Sequence, residues 1–304
     1  MKIAFLFPGQ GVTNEREGRT WYERSDAVRR LVEAVARHTG TSPDRLLGHR
    51  SGGLLPTELL EPLHTALCLG IHEDLIGRGV RADIVAGHSL GEIPACAAAG
   101  GCTAEEAIAL AAERGRLMAR AAAKRPGGML ALRGVERETV TAAVAFACER
   151  GAAAIAAHNA PRQWVISGEW GALRRLATRY PAFPIPVGGP WHSAVLADAA
   201  EEFLAASLHV VSSPLRVPLV SNRTGAIVRD VGELPKLLAE QFTHPVEWAR
   251  TMTTIAEFGV TDIVTVGAGR VLQGLVRLNW GTRGCLHGTD TAGELDRTAE
   301  ALAR

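Results

Sequence analysis

Short apolar runs alternate with stretches of helical periodicity along the chain, and that order predicts an α/β protein. Lys2 to Phe7 reads as a buried strand ending in the loop Pro8-Gly9-Gln10-Gly11. Residues 12–25 are polar and arginine-rich and read as a surface segment. Helical spacing covers Val28 to His38 and then about Thr57 to Arg78. Asp83 to Ala86 is a second strand with β-branched residues, followed by a short alanine-rich helix from Glu92 to Ala99. Gly100-Gly101 breaks that helix, and Thr103-Ala-Glu-Glu106 is a capping box that opens another, reaching about Lys124.

The texture changes at Pro126-Gly127-Gly128. A strand (Met129–Leu132), a helix (Glu136–Arg150) and a strand (Ala153–His158) come first. A turn at Asn159-Ala-Pro-Arg162, a strand (Trp164–Ser167), a helix (Glu169–Tyr180) and a strand (Phe183–Val187) follow. The order β-α-β-β-α-β is that of a ferredoxin-like split unit. Residues 128–188 are therefore expected to form a small domain inserted into a main body made of 1–127 and 189–304. The main body resumes with a helix (Ala194 to Ser207), a strand (Arg216–Ser221), a helix (Val231–Gln241) and a helix after Pro245. A strand (Asp262–Val266) and a Gly267-Ala-Gly269 turn complete it.

Composition narrows the function classes. A chain of 304 residues, 47% hydrophobic and 21% charged, buries a large core, and a net charge of +1 implies neither nucleic acid nor membrane surface as a partner. No apolar run approaches the roughly 20 residues needed to span a bilayer, and the N-terminus lacks the layout of a cleavable signal. Five scattered cysteines without metal spacing fit buried thiols in a reducing cytoplasm, so a cytoplasmic protein without a metal is expected.

The candidate chemistry centres on Gly87-His88-Ser89-Leu90-Gly91, set between the second strand and the helix at Glu92. Strand, Gly-x-Ser-x-Gly, helix is the layout of a nucleophile elbow, which points to Ser89 as a nucleophile. The backbone N–H of Leu90 is placed to receive an oxyanion. A serine hydroxyl needs an adjacent base, most often histidine. His88 diverges from Ser89 at so tight a turn and is expected to pack under it; His38, His64, His72 and His209 lie in helical patterns, and His49 and His287 in polar loops. His158, His192 and His244 stand at the ends of elements, and His192 stands out because its loop re-enters the main sheet. No acid identifies itself as the third member; Asp198 and Asp262 are unremarkable. Arg114, if buried in its helix, wants an anion, and a carboxylate held by its fork fits.

Six blocks occur in order: Phe7-Pro-Gly-Gln-Gly11, Gly87-His-Ser-Leu-Gly-Glu92, Arg114-Gly115 with Met118, Asn159-Ala-Pro-Arg-Gln163 with Val165-Ile-Ser-Gly168, Trp191-His-Ser193 and His244-Pro-Val-Glu-Trp248. Together they resemble malonyl-CoA:acyl carrier protein transacylases and the acyltransferase domains of polyketide synthases. The resemblance implies an α/β-hydrolase-like body with an inserted ferredoxin-like subdomain. It implies Ser89 as nucleophile, His192 as its base, Gln10 with Leu90 as the oxyanion pair, and Arg114 as the clamp for a malonyl carboxylate. Gln241 matches the position where a side chain or carbonyl orients the histidine, and Asn159 and Gln163 match positions near the cleft. The activity implied is malonyl transfer from coenzyme A to the phosphopantetheine thiol of an acyl carrier protein, in fatty acid or polyketide biosynthesis. Coenzyme A and phosphopantetheine are then substrates rather than cofactors, and a monomer is expected.

The chain departs from the pattern in places. Val12-Thr-Asn-Glu-Arg16 replaces small and Met-Gly residues, Gly267-Ala-Gly replaces Gly-Pro-Gly, and Glu61-Pro62 stands where Gln-Pro is common. Trp191 precedes the histidine where phenylalanine or serine is usual; its bulk favours malonyl over methylmalonyl or reshapes the pocket. The competing readings are a family transferase with a branched or larger acyl group, a malonate decarboxylase subunit, an editing hydrolase and a silent docking subunit.

Overall fold

All five side chains of Ile3–Phe7 (β1) are buried, as in a strand covered on both faces. The computed structural model describes residues 1–10, 15–48, 55–267 and 270–303. Helices α1 (Glu15–Arg24), α2 (Asp26–Thr39), α3 (Pro43–Leu46) and α4 (Thr57–Gly77) lead to β2 (Ile84–Gly87). After it come α5 (Glu92–Ala99) and α6 (Ala104–Lys124), the latter opened by the capping box at Thr103 and Glu106. The chain then runs through β3 (Gly127–Arg133), α7 (Arg137–Cys148), β4 (Ala153–Ala160), β5 (Gln163–Glu169), α8 (Trp170–Ala177) and β6 (Phe183–Ile185). It returns through α9 (Ala197–Val210), β7 (Leu219–Val220), α10 (Leu234–Glu240), α11 (Trp248–Glu257) and β8 (Asp262–Thr265). Helix α12 (Arg270–Trp280), β9 (Cys285–Gly288) and α13 (Ala292–Leu302) close it.

Two sheets result. The larger is parallel, in the order β7-β2-β1-β8-β9, and β1 pairs with β2 so that Phe7 lies opposite Gly87. Ligands gather at the carboxyl ends of strands in such sheets, so the loops after β1 and β2 meet where a site is expected. The smaller sheet is antiparallel, in the order β4-β5-β3-β6, with α7 and α8 packed on it around Leu132, Val140, Ile166 and Leu173. Its order is that of a ferredoxin-like unit, set on an α/β body.

Several expectations change. Part of the stretch expected at the surface is α1: Trp21 is buried and donates its indole N–H to Asp290 O at 3.2 Å. The turn expected at 159–162 is shorter, because β4 continues through Asn159 to Ala160. His287 lies on β9 rather than in a loop. The helices expected from Ala194 and Val231 each begin with a 3-10 turn. Elements α3, α12, β9 and α13 had no counterpart in the sequence reading, their patterns being short or polar. Gly11, the Val12 to Asn14 part of the first departure, His49, Ala268 and Gly269 lie outside the described residues. Among the described residues no helix is long and apolar enough to cross a membrane.

Candidate active site

Strand β2 ends at Gly87, and the chain turns through Ser89 with φ of 52°. A residue with a Cβ rarely adopts left-handed backbone. The turn is so tight that a Cβ on Gly87 would lie 2.0 Å from the backbone of Gly91. One 3-10 turn, Ser89–Gly91, joins the strand to α5, so the serine stands just before the positive, N-terminal end of that helix. Gln10, on the loop after β1, lines the same pocket as Ser89, and His88 N–H ties the two loops together by donating to Phe7 O at 2.9 Å.

His192 reaches this hydroxyl from the loop after the small sheet, and it too has a left-handed φ, 57°. Its Nε2 is 2.8 Å from Ser89 Oγ, while Nδ1–H donates to the backbone carbonyl of Gln241 at 2.6 Å. That second bond fixes the tautomer and leaves the Nε2 lone pair for the serine proton. Burial, and after it the nearby Arg114, lowers the imidazole to about 3. The ring is therefore neutral at ordinary pH. A hydroxyl held against a neutral imidazole can lose its proton as it attacks.

The other histidines lie elsewhere. His158 stacks on Trp164 at 3.8 Å between ring centroids, and His244 Nδ1 bonds with Thr243 Oγ1 and Glu240 O. His88 packs edge-on against Trp248 and donates Nε2–H to Asn159 Oδ1 at 2.8 Å. His64 is buried in α4 against the carbonyl of Pro8 at 2.8 Å.

Sequence reasoning missed the group behind Gln241. Glu92, the first residue of α5, is fully buried and takes the place an acid was sought for, one step removed. It accepts from Asn222 N–H at 3.0 Å, Asn222 Nδ2 at 2.6 Å and the side-chain amide of Gln241. Asn222 also donates to Gly87 O at 3.0 Å, so the end of β7 is tied to both elbow and histidine. Burial raises Glu92 to about 7 against these donors. The signal was a lone acid opening an alanine-rich helix, which reads equally as an N-terminal helix charge.

Arg114 is buried. Helix α6 passes α4 so closely that a Cβ on Gly115 would lie 2.7 Å from Thr57 O, and this contact sets Arg114 against Glu61. One guanidinium nitrogen bonds Glu61 Oε1 and the other lies 3.3 Å from Ser89 Oγ, with the Phe242 ring 5.5 Å away. The anion that Arg114 was expected to want is thus partly supplied by the chain itself. Trp191 is buried in the pocket wall, and Asn159 and Gln163 line it from the small sheet. Asn159 spends its side-chain carbonyl on His88 and its backbone carbonyl on Asn279 Nδ2. The pocket therefore lies between the two sheets, with a serine, an imidazole and a guanidinium at one end.

Residues 4–273 match the family described as acyl transferase domain. A malonyl CoA-acyl carrier protein transacylase of Mycobacterium bovis is 34% identical over 283 residues, covering 90% of this chain and 92% of that protein. The malonyl CoA-acyl carrier protein transacylase of Bacillus subtilis is 30% identical over 291 residues, covering 91% of this chain and 90% of that protein. Among solved structures, the transacylase of Streptococcus pneumoniae superposes with a TM-score of 0.90 at 30% identity, over 99% of this chain and 100% of that one.

Proposed function

The chain belongs to the acyl transferase domain family, and from that membership we propose how its pocket moves a malonyl group from coenzyme A to an acyl carrier protein. It is an acyltransferase of the malonyl-CoA:acyl carrier protein transacylase type, serving fatty acid or polyketide assembly. The observation that carries the mechanism is the 2.8 Å contact between Ser89 Oγ and His192 Nε2.

In this reading His192 Nε2 accepts the Ser89 proton as Oγ bonds the thioester carbonyl carbon. The N–H groups of Gln10 and Leu90 receive the resulting oxyanion. The tetrahedral centre collapses, the carbon–sulfur bond breaks, and coenzyme A leaves with the proton from His192. The carrier's phosphopantetheine thiol then gives its proton to His192 and attacks the malonyl ester; Ser89 leaves and is reprotonated. Arg114 meets the free carboxylate, Trp191 and Asn159 shape the wall beside it, and the Gln241 carbonyl supports the imidazolium. A malonyl carboxylate on Arg114 also removes part of the positive field that depresses His192, so substrate binding strengthens its base.

Coenzyme A and the carrier's prosthetic arm are substrates here. One chain supplies every group named, so a monomer suffices as the working unit. Cys68, Cys96 and Cys102 are the buried free thiols expected, whereas Cys148 and Cys285 are exposed; free thiols on the surface support a reducing, cytoplasmic setting. The test is intact-mass analysis after mixing wild type and Ser89→Ala with malonyl-CoA, followed by addition of a carrier protein bearing phosphopantetheine. Malonyl mass on wild type alone, passed to the carrier thiol, is expected. Release as free malonate would mean an editing hydrolase, and no adduct would remove the mechanism.

A further inference from the structure

A buried acid and a buried base form one pair next to the reacting serine. Glu61 is 0% exposed and Arg114 2%, and the guanidinium bridges Glu61 and Ser89 Oγ. Glu61 Oε2 is buried without a hydrogen-bond partner among the described residues. An ionised Glu61 therefore neutralises Arg114 while leaving one of its own oxygens unsatisfied, a costly arrangement in a dry site. A malonyl carboxylate arriving at the same guanidinium would bring a second negative charge to one positive one. Two carboxylates against one cation do not both stay ionised where burial penalises charge.

We propose that Glu61 is a specificity-determining residue that competes with the substrate carboxylate for Arg114. A carboxylated acyl group then enters together with a solvent proton that settles on Glu61, and uncharged acyl groups are discriminated against less than a lone arginine would allow. This rests on the acyl-serine reading above and adds the charge class of acyl group accepted. Burial already pushes Glu61 up from the usual carboxylate range, with Arg114 opposing. Arg114 from α6 is the charged group that acts on Glu61 among the described residues. Burial lowers His64, one turn along α4, and His88 and His192 beside the serine, and Arg114 acts on Glu92 as well.

The test compares malonyl-CoA with isovaleryl-CoA, an uncharged donor with the same number of heavy atoms in its acyl group, in competition for Ser89, read by intact mass from pH 6 to pH 8.5. Titration of the free enzyme's Ser89 and His192 affects both donors alike and cancels in the loading ratio, and the relief of His192 by a malonyl carboxylate on Arg114 is present in wild type and Glu61→Gln alike. In wild type the malonyl to isovaleryl ratio should fall as pH rises and Glu61 ionises, by at most about tenfold per pH unit. Glu61→Gln, which keeps the shape without the charge, should raise the ratio about tenfold or more at pH 8 and make it level with pH. A wild-type ratio that stays level or rises with pH overturns the proposal, and it does so even if Glu61→Gln fails to fold. A folded Glu61→Gln with an unchanged or lower ratio at pH 8 also overturns it. Failure of the acyl-serine reading looks different: neither donor adds mass at any pH.

Discussion

Ser89 and His192 are the only non-glycine residues with positive φ among the described residues, and their side chains meet at 2.8 Å. Each left-handed residue costs about 1–2 kcal/mol, and such strain persists where surrounding structure over-determines it. Both strained positions serve one contact.

Replacing Ser89 by glycine relieves its backbone strain and removes the hydroxyl. The relief is offset by about 0.5–1 kcal/mol of extra freedom in the unfolded chain. Ser89→Gly is therefore expected to be as stable as wild type or up to about 1 kcal/mol more so, while taking no acyl mass. Denaturant melts and mass spectra check this; a variant clearly less stable than wild type would show the elbow is not strained.

His192 is oriented by a backbone carbonyl, which a side-chain deletion at 241 leaves in place. Gln241→Ala should keep the acylation rate within about tenfold of wild type and cost about 1–2 kcal/mol through the lost bond to Glu92. Glu92→Gln should do more, because an amide turns one donor toward the donors of Asn222 and Gln241. A loss of about 1–3 kcal/mol and a larger fall in acylation are expected. Stopped-flow loading and melts separate the two; a Gln241→Ala slower than Glu92→Gln would move the orienting role to the side chain.

Arg114→Ala leaves Glu61 buried without its cation, and breaking such a pair costs about 3–5 kcal/mol when the remaining charge cannot neutralise. Glu61 can take a proton, so the loss should shrink as pH falls. The double variant Arg114→Ala with Glu61→Gln should recover about 1 kcal/mol or more over Arg114→Ala alone at pH 8. Additive losses in the cycle would mean the two groups are not energetically paired.

Stability should fall as pH drops from 6.5 to 5. Burial lowers His64, His72, His88 and His192 below 6.5, His72 to about 4 and His192 to about 3. Below pH 6.5 the unfolded chain binds protons these rings refuse, a penalty absent above that value and growing as pH falls. Glu61 and Glu92, raised above 4.5 by burial, act in the opposite sense because the folded chain holds their protons longer. The four rings outnumber the raised carboxyls Glu61, Glu92 and Asp74, so the unfolded chain takes up more protons and stability falls as pH falls. Melts at several pH values check the sign; greater stability at pH 5 than at pH 6.5 would reverse it.

Long periodic stretches were legible before any coordinates. Helices α4 and α6 and the βαββαβ order of the small sheet follow from local patterning, where each side chain's preference agrees with its neighbours'. The polar α1 was not, because its helix is held by the burial of Trp21 against Asp290, a contact 269 residues away in sequence. Within the site, Ser89 announced itself through a tight turn that needs glycine at 87. His192 remained one of three histidines in the residue pattern, since nothing local distinguishes an imidazole that will meet a serine 103 residues away.

The sequence by itself determined the alternation of strand and helix, the elbow at Ser89 and the presence of an arginine with a possible anion to find, because these depend on neighbours within a few residues. The tertiary structure alone decided that the Gln241 carbonyl, itself steadied by Glu92, faces His192, and that Glu61 already occupies one side of Arg114. Those pairings arise where the ends of β2 and β7, the loop before α9 and the close crossing of α4 and α6 converge. Burial there raises the cost of every unpaired charge, and the partner each group finds is set by packing rather than by position along the chain.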